Sequence, residues 1–366
     1  MTKNNTKSEP ILVTRAVVPT YEEYASYIEQ VFSSRYLTNE GELSKKLEKR
    51  LSSFLNIPHL ALCANGTLAL QLALRAAGIE KGEVITTPFS YVATVSSLLW
   101  EGFTPVFADI DAETLCICPK AIEQAITERT VGIMPVHIYG NACDVASIGS
   151  IAKKYGITTI YDAAQAFGSM YKGAPVASYG DFAILSFHAT KVFHTVEGGA
   201  VVCHDQKAYA RLGLLRAFGH IGDEHISLGI NAKMSELHAA MGLCLLSQVE
   251  ANIANRKKVS QQYDNLLPAK GLRKPVLAEG LDYNYAYYPV IFDTQEAMQN
   301  ALADLNSVGI FPRRYFYPSL NTLPYLKTFQ PCPIAEDICT RILCLPLYAE
   351  LENKDVERIA KAIKHR

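Results

Sequence analysis

The sequence predicts an α/β protein that has a mostly parallel sheet and a second, smaller α+β domain. Between residues 59 and 204, short β-branched runs alternate with short helical stretches, and beyond residue 204 the pattern changes to longer helices and a separate strand. The alternation is typical of β-α-β units, whose helices cover both faces of a parallel sheet. Because ligands of such sheets bind at the carboxyl ends of the strands, we expect the functional site there.

Composition excludes several classes of partner. The chain has 366 residues, of which 49% are hydrophobic, and its 35 basic side chains nearly balance 36 acidic ones. With a net charge close to zero, the chain has no overall electrostatic attraction for nucleic acid or an anionic membrane surface, so we expect neither as a partner. The nine cysteines include no CxxC pair, and Cys116 and Cys118 are too close for a usual zinc half-site. We therefore predict no metal, reduced thiols and, since MTKNNTKSEP lacks an apolar signal core, a cytoplasmic protein.

Hydrophobic spacing predicts the elements in chain order. A polar arm of residues 1–20 precedes two helices, and Leu43, Leu47 and Leu51 fall on one face of the second. The Pro and Gly of 266–275 mark a change of domain, so we predict N-terminal helices and a large domain in 1–267 and a small α+β domain in 268–366. The predicted strands are 59–64, 83–87, 104–110, 130–138, 158–164, 181–187, 198–204 and 285–292, and the predicted helices are 21–32, 42–55, 66–78, 91–100, 119–126, 144–155, 206–216, 235–267, 295–308 and 353–365.

Three predicted strand ends have residues suited to chemistry. Residues 64–67 end one strand and begin a helix, where free N–H groups and Gly66 would let a phosphate approach closely. Asp162 ends another strand, and a carboxylate there is costly unless a cation meets it. Lys191 follows a third strand. Taken singly, these residues have simpler interpretations: a Thr67 cap, an Asp162 cap and a solvated loop lysine.

Together, the three features make up the set that pyridoxal 5'-phosphate (PLP) requires. A lysine amine forms a Schiff base with the aldehyde, and a carboxylate keeps the ring nitrogen protonated, which makes the ring an electron sink. A helix N-terminus takes the phosphate. We therefore predict that the chain binds PLP through Lys191, Asp162 and residues 64–67.

Six motifs resemble those of one family. NGTLAL, PFSYVAT, PVHIYGNACD, YDAAQAFG, SFHATK followed by EGGAVV, and LGINAKMSE occur in the order and spacing found in sugar-nucleotide aminotransferases of the DegT/StrS type. These enzymes have the aspartate aminotransferase fold, fold type I of the PLP enzymes, and the resemblance covers nearly the whole chain. It implies a mostly parallel seven-stranded sheet between helices, and a homodimer whose active sites are shared between the subunits.

The resemblance also implies roles for individual residues. Lys191 would be the Schiff-base lysine and proton shuttle, and Asp162 would pair with the pyridine nitrogen. Gln165 would lie near the phenolic oxygen of the cofactor, and Tyr91 would stack on its ring; their simpler interpretations are a polar helix residue and a core aromatic. The remaining cofactor-binding residues would be Gly66, Thr67, Leu68, Ser186 and Asn231 of the partner subunit, or Lys233 in place of Asn231, since some relatives have this asparagine two positions further on.

The substrate residues implied by the resemblance are His188, Arg313 and Tyr317. His188 would lie near the sugar or its pyrophosphate, although a lone histidine is often structural. Arg313 and Tyr317 belong to FPRRYFYPSL, the segment that closes over the nucleotide end in relatives. An arginine pair suits a pyrophosphate, but exposed arginine pairs are also common on small domains.

The resemblance implies a PLP-dependent aminotransferase that moves an amino group from glutamate to a nucleotide-linked 4-keto-6-deoxyhexose. It is strongest to members that make dTDP-4-amino-4,6-dideoxyglucose, a precursor of bacterial O-antigen and lipopolysaccharide. The His-Ala-Thr segment before Lys191 favours carbon 4, because relatives that act at carbon 3 more often have a Tyr-Pro-Gly type of segment. A 3-keto or UDP-4-keto sugar is the alternative substrate.

Two alternatives come from other classes. A PLP-dependent sugar dehydratase shares the fold, but in those relatives a histidine replaces the lysine that is Lys191 here. A non-catalytic regulator would have no reason to keep Asp162, Gln165 and Lys191 together. The nucleotide (dTDP, UDP or GDP), the stereochemistry at the new amine and the pathway stay open.

Overall fold

The computed structural model describes residues 9–268 and 270–364. Numbered in chain order, the strands are β1 (Ile11–Leu12), β2 (His59–Cys63), β3 (Glu83–Thr86), β4 (Thr104–Phe107), β5 (Thr130–Met134), β6 (Thr158–Asp162), β7 (Met170–Tyr171), β8 (Ala174–Pro175), β9 (Phe182–Ser186), β10 (Gly199–Cys203), β11 (His220–Ile221), β12 (Glu224–His225), β13 (Leu272–Arg273), β14 (Leu281–Asp282), β15 (Tyr288–Phe292), β16 (Ile310–Phe311) and β17 (Ile342–Leu345). The helices are α1 (Tyr21–Ser34), α2 (Glu42–Leu55), α3 (Gly66–Ala76), α4 (Ala93–Trp100), α5 (Pro119–Ala125), α6 (Val145–Tyr155), α7 (Gln206–Leu215), α8 (Glu236–Leu245), α9 (Val249–Leu266), α10 (Gln295–Ser307), α11 (Pro333–Arg341) and α12 (Asn353–Lys364).

A seven-stranded sheet in the order β2-β10-β9-β6-β5-β3-β4 lies at the centre. The pairs from β9 to β4 are all parallel, and β10 runs antiparallel to both of its neighbours. Every residue of β9 and β10 is buried, as in sheets covered on both faces. The predicted α/β class with a mostly parallel seven-stranded sheet is confirmed.

Alternate residues of the strands face two apolar layers. In β9, Phe182 and Ile184 pack in the layer that contains α3 and α7, whereas Ala183 and Leu185 pack in the layer that contains α2 and α8. This period of two is the side-chain geometry of a pleated strand. The helices therefore bury both faces, which leaves the carboxyl ends of the parallel strands as the open edge.

Several predicted boundaries were wrong, and the structure gives the reasons. The predicted strand 130–138 ends at Met134, because Pro135 has no N–H for the ladder. The predicted helix 235–267 is divided into α8 and α9 by a 3₁₀ turn over Leu246–Gln248. Leu246 and Val249 are both buried, so the apolar spacing runs through the break without revealing it.

Residues 310–345 contain elements that the spacing does not predict. α11 begins with Pro333, and the carboxylate of Glu336 accepts a hydrogen bond of 2.8 Å from the backbone N–H of Cys332. Proline in the first turn followed by a glutamate is a helix-start signal, so the sequence does contain a cue for this helix. β17 pairs with β15, and β15 also pairs with β13, which makes a second, three-stranded sheet.

Strands after residue 267 belong to different sheets. β13 joins β15 and β17, whereas β14 pairs with β7 of the preceding segment in another three-stranded sheet, β14-β7-β8. The domain division at residue 267 stays a prediction. The predicted N-terminal arm pairs through β1 with β16; its residues 1–8, like His365 of the predicted last helix, lie outside the described residues. None of the described helices is both long and apolar enough to cross a membrane.

Candidate active site

A cavity of about 750 Å³ opens at the carboxyl ends of β2, β6 and β9. The edge of the sheet that the β-α-β pattern indicates is therefore where the concave site lies. Nowhere in residues 9–268 and 270–364 do three or more His, Cys, Asp or Glu side chains gather as a metal site would need. Among the predicted site residues, those that line the cavity are Gly66, Thr67, Leu68, Tyr91, Asp162, Gln165, Ser186, His188 and Lys191.

Asp162 lies at the end of β6 with only 5% of its surface exposed. Its Oδ1 accepts a hydrogen bond of 3.0 Å from the N–H of Ala164, and its Oδ2 accepts one of 2.8 Å from the hydroxyl of Thr94. Burial raises the pKa of Asp162, and these two hydrogen bonds and the charge of Lys191 oppose the rise. No helix begins after Asp162, since residues 163–169 form turns, so the helix-cap interpretation is wrong.

The N-terminus of α3 faces Ser186, at the end of β9. Asn65 is the N-cap, and its Oδ1 accepts a hydrogen bond of 2.9 Å from the N–H of Leu68. The interpretation of Thr67 as the cap is therefore wrong, and Thr67 lines the cavity instead. A Cβ atom on Gly66 would lie 2.9 Å from Cβ of Ser186, so only glycine lets the helix approach this strand end. The two elements form a cradle suited to an anion.

Lys191 follows β9 in a turn in which its N–H donates to the carbonyl of His188 at 2.9 Å. Its Nζ reaches the cavity, where it lies 3.3 Å from the hydroxyl oxygen of Tyr287. The amine is 6.0 Å from the centre of the Tyr287 ring. The lysine is half-buried and has a specific neighbour, unlike a solvated loop lysine.

Gln165 and Tyr91 differ from their simpler interpretations. Gln165 lies in a turn, is 5% exposed, and its Oε1 accepts a hydrogen bond of 2.6 Å from the N–H of Tyr139. Tyr91 is 59% exposed and lies at the cavity edge, with its ring 6.4 Å from that of Phe316. Neither a polar helix residue nor a core aromatic describes them.

His188 lies at the cavity wall between two polar groups. Its Nδ1 is 2.8 Å from the hydroxyl of Thr190, and its Nε2 is 3.7 Å from Oε1 of Glu197. All three residues line the cavity, and about half of each of the His188 and Glu197 side chains is exposed. This exposure is unlike that of a histidine buried for structure.

Three predicted residues do not line the cavity. The segment that contains Arg313 and Tyr317 presents Tyr315 and Phe316 to it instead, and the predicted contacts of Arg313 and Tyr317 with substrate stay predictions. Asn231 lies outside the cavity, beside an exposed hairpin formed by β11 and β12, and its Oδ1 accepts a hydrogen bond of 2.8 Å from Nζ of Lys233.

Sequence reasoning missed two residues that contact the predicted ones. Thr94 belongs to PFSYVAT, three positions after Tyr91, but α4 begins at Ala93, so Tyr91 precedes the helix and this spacing does not put the two residues on one helical face. No local pattern marks Thr94 as a neighbour of Asp162. Tyr287 belongs to YAYYPVIF, which the pattern predicts to be a single strand, and nothing in that run distinguishes Tyr287 from its aromatic neighbours.

Comparison with known proteins gives a consistent result. Residues 20–364 match the profile of the DegT/DnrJ/EryC1/StrS aminotransferase family. A dTDP-4-amino-4,6-dideoxy-D-glucose transaminase from Shigella dysenteriae is 41% identical over 366 residues, which cover 97% of this chain and 99% of the relative. A UDP-2-acetamido-2-deoxy-3-oxo-D-glucuronate aminotransferase from Pseudomonas aeruginosa is 35% identical over 87% of this chain and 89% of the relative.

Among solved structures, that of DesI with its TDP-sugar product superposes with a TM-score of 0.90. The two chains are 33% identical, and the match covers 97% of this chain and 92% of DesI. The predicted resemblance, the fold type I architecture and the aminotransferase class are confirmed. The chain belongs to the DegT/DnrJ/EryC1/StrS aminotransferase family.

Proposed function

We propose that this protein uses PLP to transfer an amino group from glutamate to the 4-keto group of a nucleotide-linked 6-deoxyhexose. The substrate that we propose is dTDP-4-keto-6-deoxyglucose. The observation on which the proposal depends is that one cavity contains Lys191, Asp162 and the N-terminus of α3. Each of these would supply a different contact that PLP needs.

The residues present fit PLP on chemical grounds. The cradle between Gly66 and Ser186 has no room for a Cβ atom, as expected where a phosphate approaches backbone N–H groups. Asp162 is a buried carboxylate that has hydrogen-bond donors but no ion-pair partner in contact within the described residues. A protonated ring nitrogen would meet this need. When bound, PLP supplies an electron sink that stabilises negative charge on the carbon next to the transferred nitrogen.

The side chains of this chain then have distinct tasks. Lys191 Nζ would hold PLP and would move protons, first from the carbon that bears the amino group of glutamate and later to the sugar carbon. Asp162 would keep a proton on the ring nitrogen, and Gln165 would serve the phenolic oxygen. Tyr91 would cover the ring, and Thr67, Leu68 and Ser186 would hold the phosphate together with Gly66.

The substrate is proposed from the relatives and from the residues before Lys191. The relative from Shigella dysenteriae has 41% identity to this chain and is named for a 4-amino sugar, which supports amination at carbon 4. His188 and Thr190 form part of the cavity wall beside Lys191, where they could orient the sugar. The relative from Pseudomonas aeruginosa is named for a 3-oxo sugar on UDP, so a 3-keto or UDP-linked substrate is the second candidate.

We also propose a homodimer in which Asn231 of the partner subunit completes the site. The segments that flank the hairpin beside Asn231 expose apolar side chains, with 52% of Phe218 and 79% of Leu228 accessible in the single chain. Exposed apolar surface of this kind marks an interface.

All nine cysteines are free thiols, which supports a reducing, cytoplasmic compartment. The aminosugar would be a precursor of surface polysaccharide such as the O-antigen.

The test is a panel of keto-sugar nucleotides incubated with glutamate, PLP and the purified protein. Mass spectrometry should find one aminosugar, formed from dTDP-4-keto-6-deoxyglucose, and NMR couplings should place the nitrogen on carbon 4, equatorial as in the gluco isomer. Glutamate alone should bleach the yellow colour of the protein with PLP. A 3-amino product from a 3-keto sugar, with the 4-keto sugar unreactive, would overturn the carbon assignment but keep the aminotransferase. Loss of a hydroxyl without gain of nitrogen would indicate a dehydratase, and no PLP binding would indicate a regulator.

A further inference from the structure

Tyr287 is the side chain that contacts the amine of Lys191. The Lys191 Nζ–H points at the hydroxyl oxygen of Tyr287 across 3.3 Å, and the amine lies at the margin of the tyrosine ring, 6.0 Å from its centre. Both residues line the cavity. The contact joins the loop after β9 to the residue before β15, which are 96 positions apart in the chain.

Tyr287 is itself held in place by other aromatic residues. Its ring lies 5.4 Å from that of Tyr139 and 5.8 Å from that of Tyr315, at an interplanar angle of 86° to the latter. Its backbone carbonyl accepts a hydrogen bond of 3.3 Å from the hydroxyl of Tyr283. The next residue, Tyr288, begins β15, which is buried along its length. The phenol oxygen is thus a fixed point, whereas the lysine has four rotatable side-chain bonds.

A phenol is chemically suited to holding an amine that must stay reactive. When Nζ–H donates to the Tyr287 oxygen, the lone pair of a neutral amine remains free to attack a carbonyl carbon. A carboxylate at the same place would favour the charged, unreactive ammonium form. A neutral hydroxyl holds the amine without that strong bias.

We propose that Tyr287 is a positioning residue that directs the Lys191 amine towards the cavity whenever this amine is not covalently bonded. The inference rests on the proposed function, because it concerns how Lys191 reaches PLP. In the covalent step the Lys191 nitrogen bonds to the aldehyde carbon. The carbonyl oxygen leaves as water with two hydrogens that come from the amine, so no further reactant is needed.

The test measures cofactor capture by the cofactor-free protein, not turnover. Stopped-flow absorbance follows covalent capture of PLP, and calorimetry gives the affinity for pyridoxamine phosphate, which has no aldehyde and cannot bond to lysine. Tyr287→Phe should slow covalent capture about ten-fold, because one hydrogen bond to the amine is lost, and should leave the affinity for pyridoxamine phosphate within about two-fold. The turnover of this variant should fall in kcat with little change in KM.

The matched control is Tyr285→Phe, two residues earlier. Tyr285 does not line the cavity; its ring packs against that of Tyr283 and lies below Lys257. Its variant should capture PLP at the rate of the unmodified protein. Equal capture rates for Tyr287→Phe and the unmodified protein would overturn the proposal. So would a parallel loss of affinity for pyridoxamine phosphate, since that would show a structural role. If the unmodified protein did not bind PLP at all, the proposed function itself would be overturned. That outcome is distinguishable from the two results that would overturn only the role of Tyr287.

Discussion

The hydroxyl of Thr94 donates a hydrogen bond of 2.8 Å to Oδ2 of Asp162, where α4 faces the end of β6. Thr94 is fully buried, and its oxygen lies 2.9 Å from the hydroxyl of Ser90. The N–H of Ala164 satisfies the other carboxylate oxygen. Burial raises the pKa of Asp162, and these two donors, together with the charge of Lys191, oppose the rise by stabilising the ionised carboxylate.

Thr94→Val removes one of these donors and keeps the shape of the side chain. We expect the pKa of Asp162 to rise further and kcat for transamination to fall about ten-fold, since one charge-assisted hydrogen bond is lost. The pH profile of kcat should move its acidic limb to higher pH. The control is Ser96→Ala, on the same helix but outside the cavity lining. It should leave kcat and the acidic limb of the pH profile unchanged. An unshifted acidic limb in Thr94→Val would contradict this role for the hydroxyl.

Asp162→Asn should separate stability from function. The folded pKa of Asp162 is raised by burial, so the folded chain binds a proton more readily than the unfolded chain, and stability falls as pH rises above the usual aspartate pKa of 3.8. The asparagine variant lacks this pH-dependent destabilisation, and the cofactor-free protein should therefore melt at a higher temperature at neutral pH. Its kcat should fall by about 10²-fold or more, because an amide cannot keep the ring nitrogen protonated. Calorimetry at pH 7 and steady-state kinetics test both parts; an unchanged kcat would reduce Asp162 to a structural residue.

The sequence predicts the central residues of the candidate site, but it does not predict the side chains that contact them. Asp162 ends one strand and Lys191 follows another, and the apolar runs of both strands are easy to recognise, so their place at one edge of the sheet follows from parallel topology. Tyr287 reaches Lys191 from 96 residues away, and no local pattern encodes such a contact. Thr94 looks like any helical threonine until α4 is packed against β6.

The elements show the same limit. The 3₁₀ turn over Leu246–Gln248 has no Gly or Pro, and its apolar residues continue the spacing of the helices on either side. β17 has only four residues, and all of them are buried. A short apolar run of this kind cannot be distinguished from part of a helix by periodicity alone. Tertiary packing decides both cases.

A shared active site predicts complementation between two inactive variants. Lys191→Ala should lose at least about 10³-fold in turnover, because proton transfer in both half-reactions depends on its amine. Asn231→Ala should also be inactive if the residue reaches the phosphate site of the partner subunit. Mixed dimers should recover part of the activity, since each hybrid assembles one site from undamaged residues.

The complementation is measured in heterodimers purified through two different affinity tags. Lys233→Ala, paired with Lys191→Ala in the same way, shows whether Lys233 takes the place of Asn231, to which its amine is hydrogen-bonded. If all three single variants are inactive and neither pair recovers activity in verified heterodimers, the result would count against a site shared between subunits.

His137 predicts how stability depends on pH. The side chain is completely buried, its ring stacks on that of Tyr161 at 4.7 Å, and its Nδ1 accepts a hydrogen bond of 3.1 Å from the N–H of Cys143. Its Nε2 has no hydrogen-bond partner in residues 9–268 and 270–364. Burial lowers the pKa of His137 from 6.5 to about 3, so the ring stays neutral in the folded chain.

As pH falls below 6.5, the unfolded chain binds a proton at His137 and the folded chain does not, until the pH nears 3. The stabilisation from this residue is therefore complete above pH 6.5 and is lost as pH falls from 6.5 towards 3, by about 1 kcal/mol per pH unit.

His137→Asn keeps an acceptor for the Cys143 N–H but cannot titrate. Urea unfolding at several values between pH 5 and pH 7 should show a shallower loss of unfolding free energy in this variant, although stacking on Tyr161 is also lost and its stability at pH 7 is lower. His204→Asn, at an exposed position, should keep the original slope. Parallel slopes for His137→Asn and the unmodified protein would show that the buried ring is not responsible for the acid sensitivity.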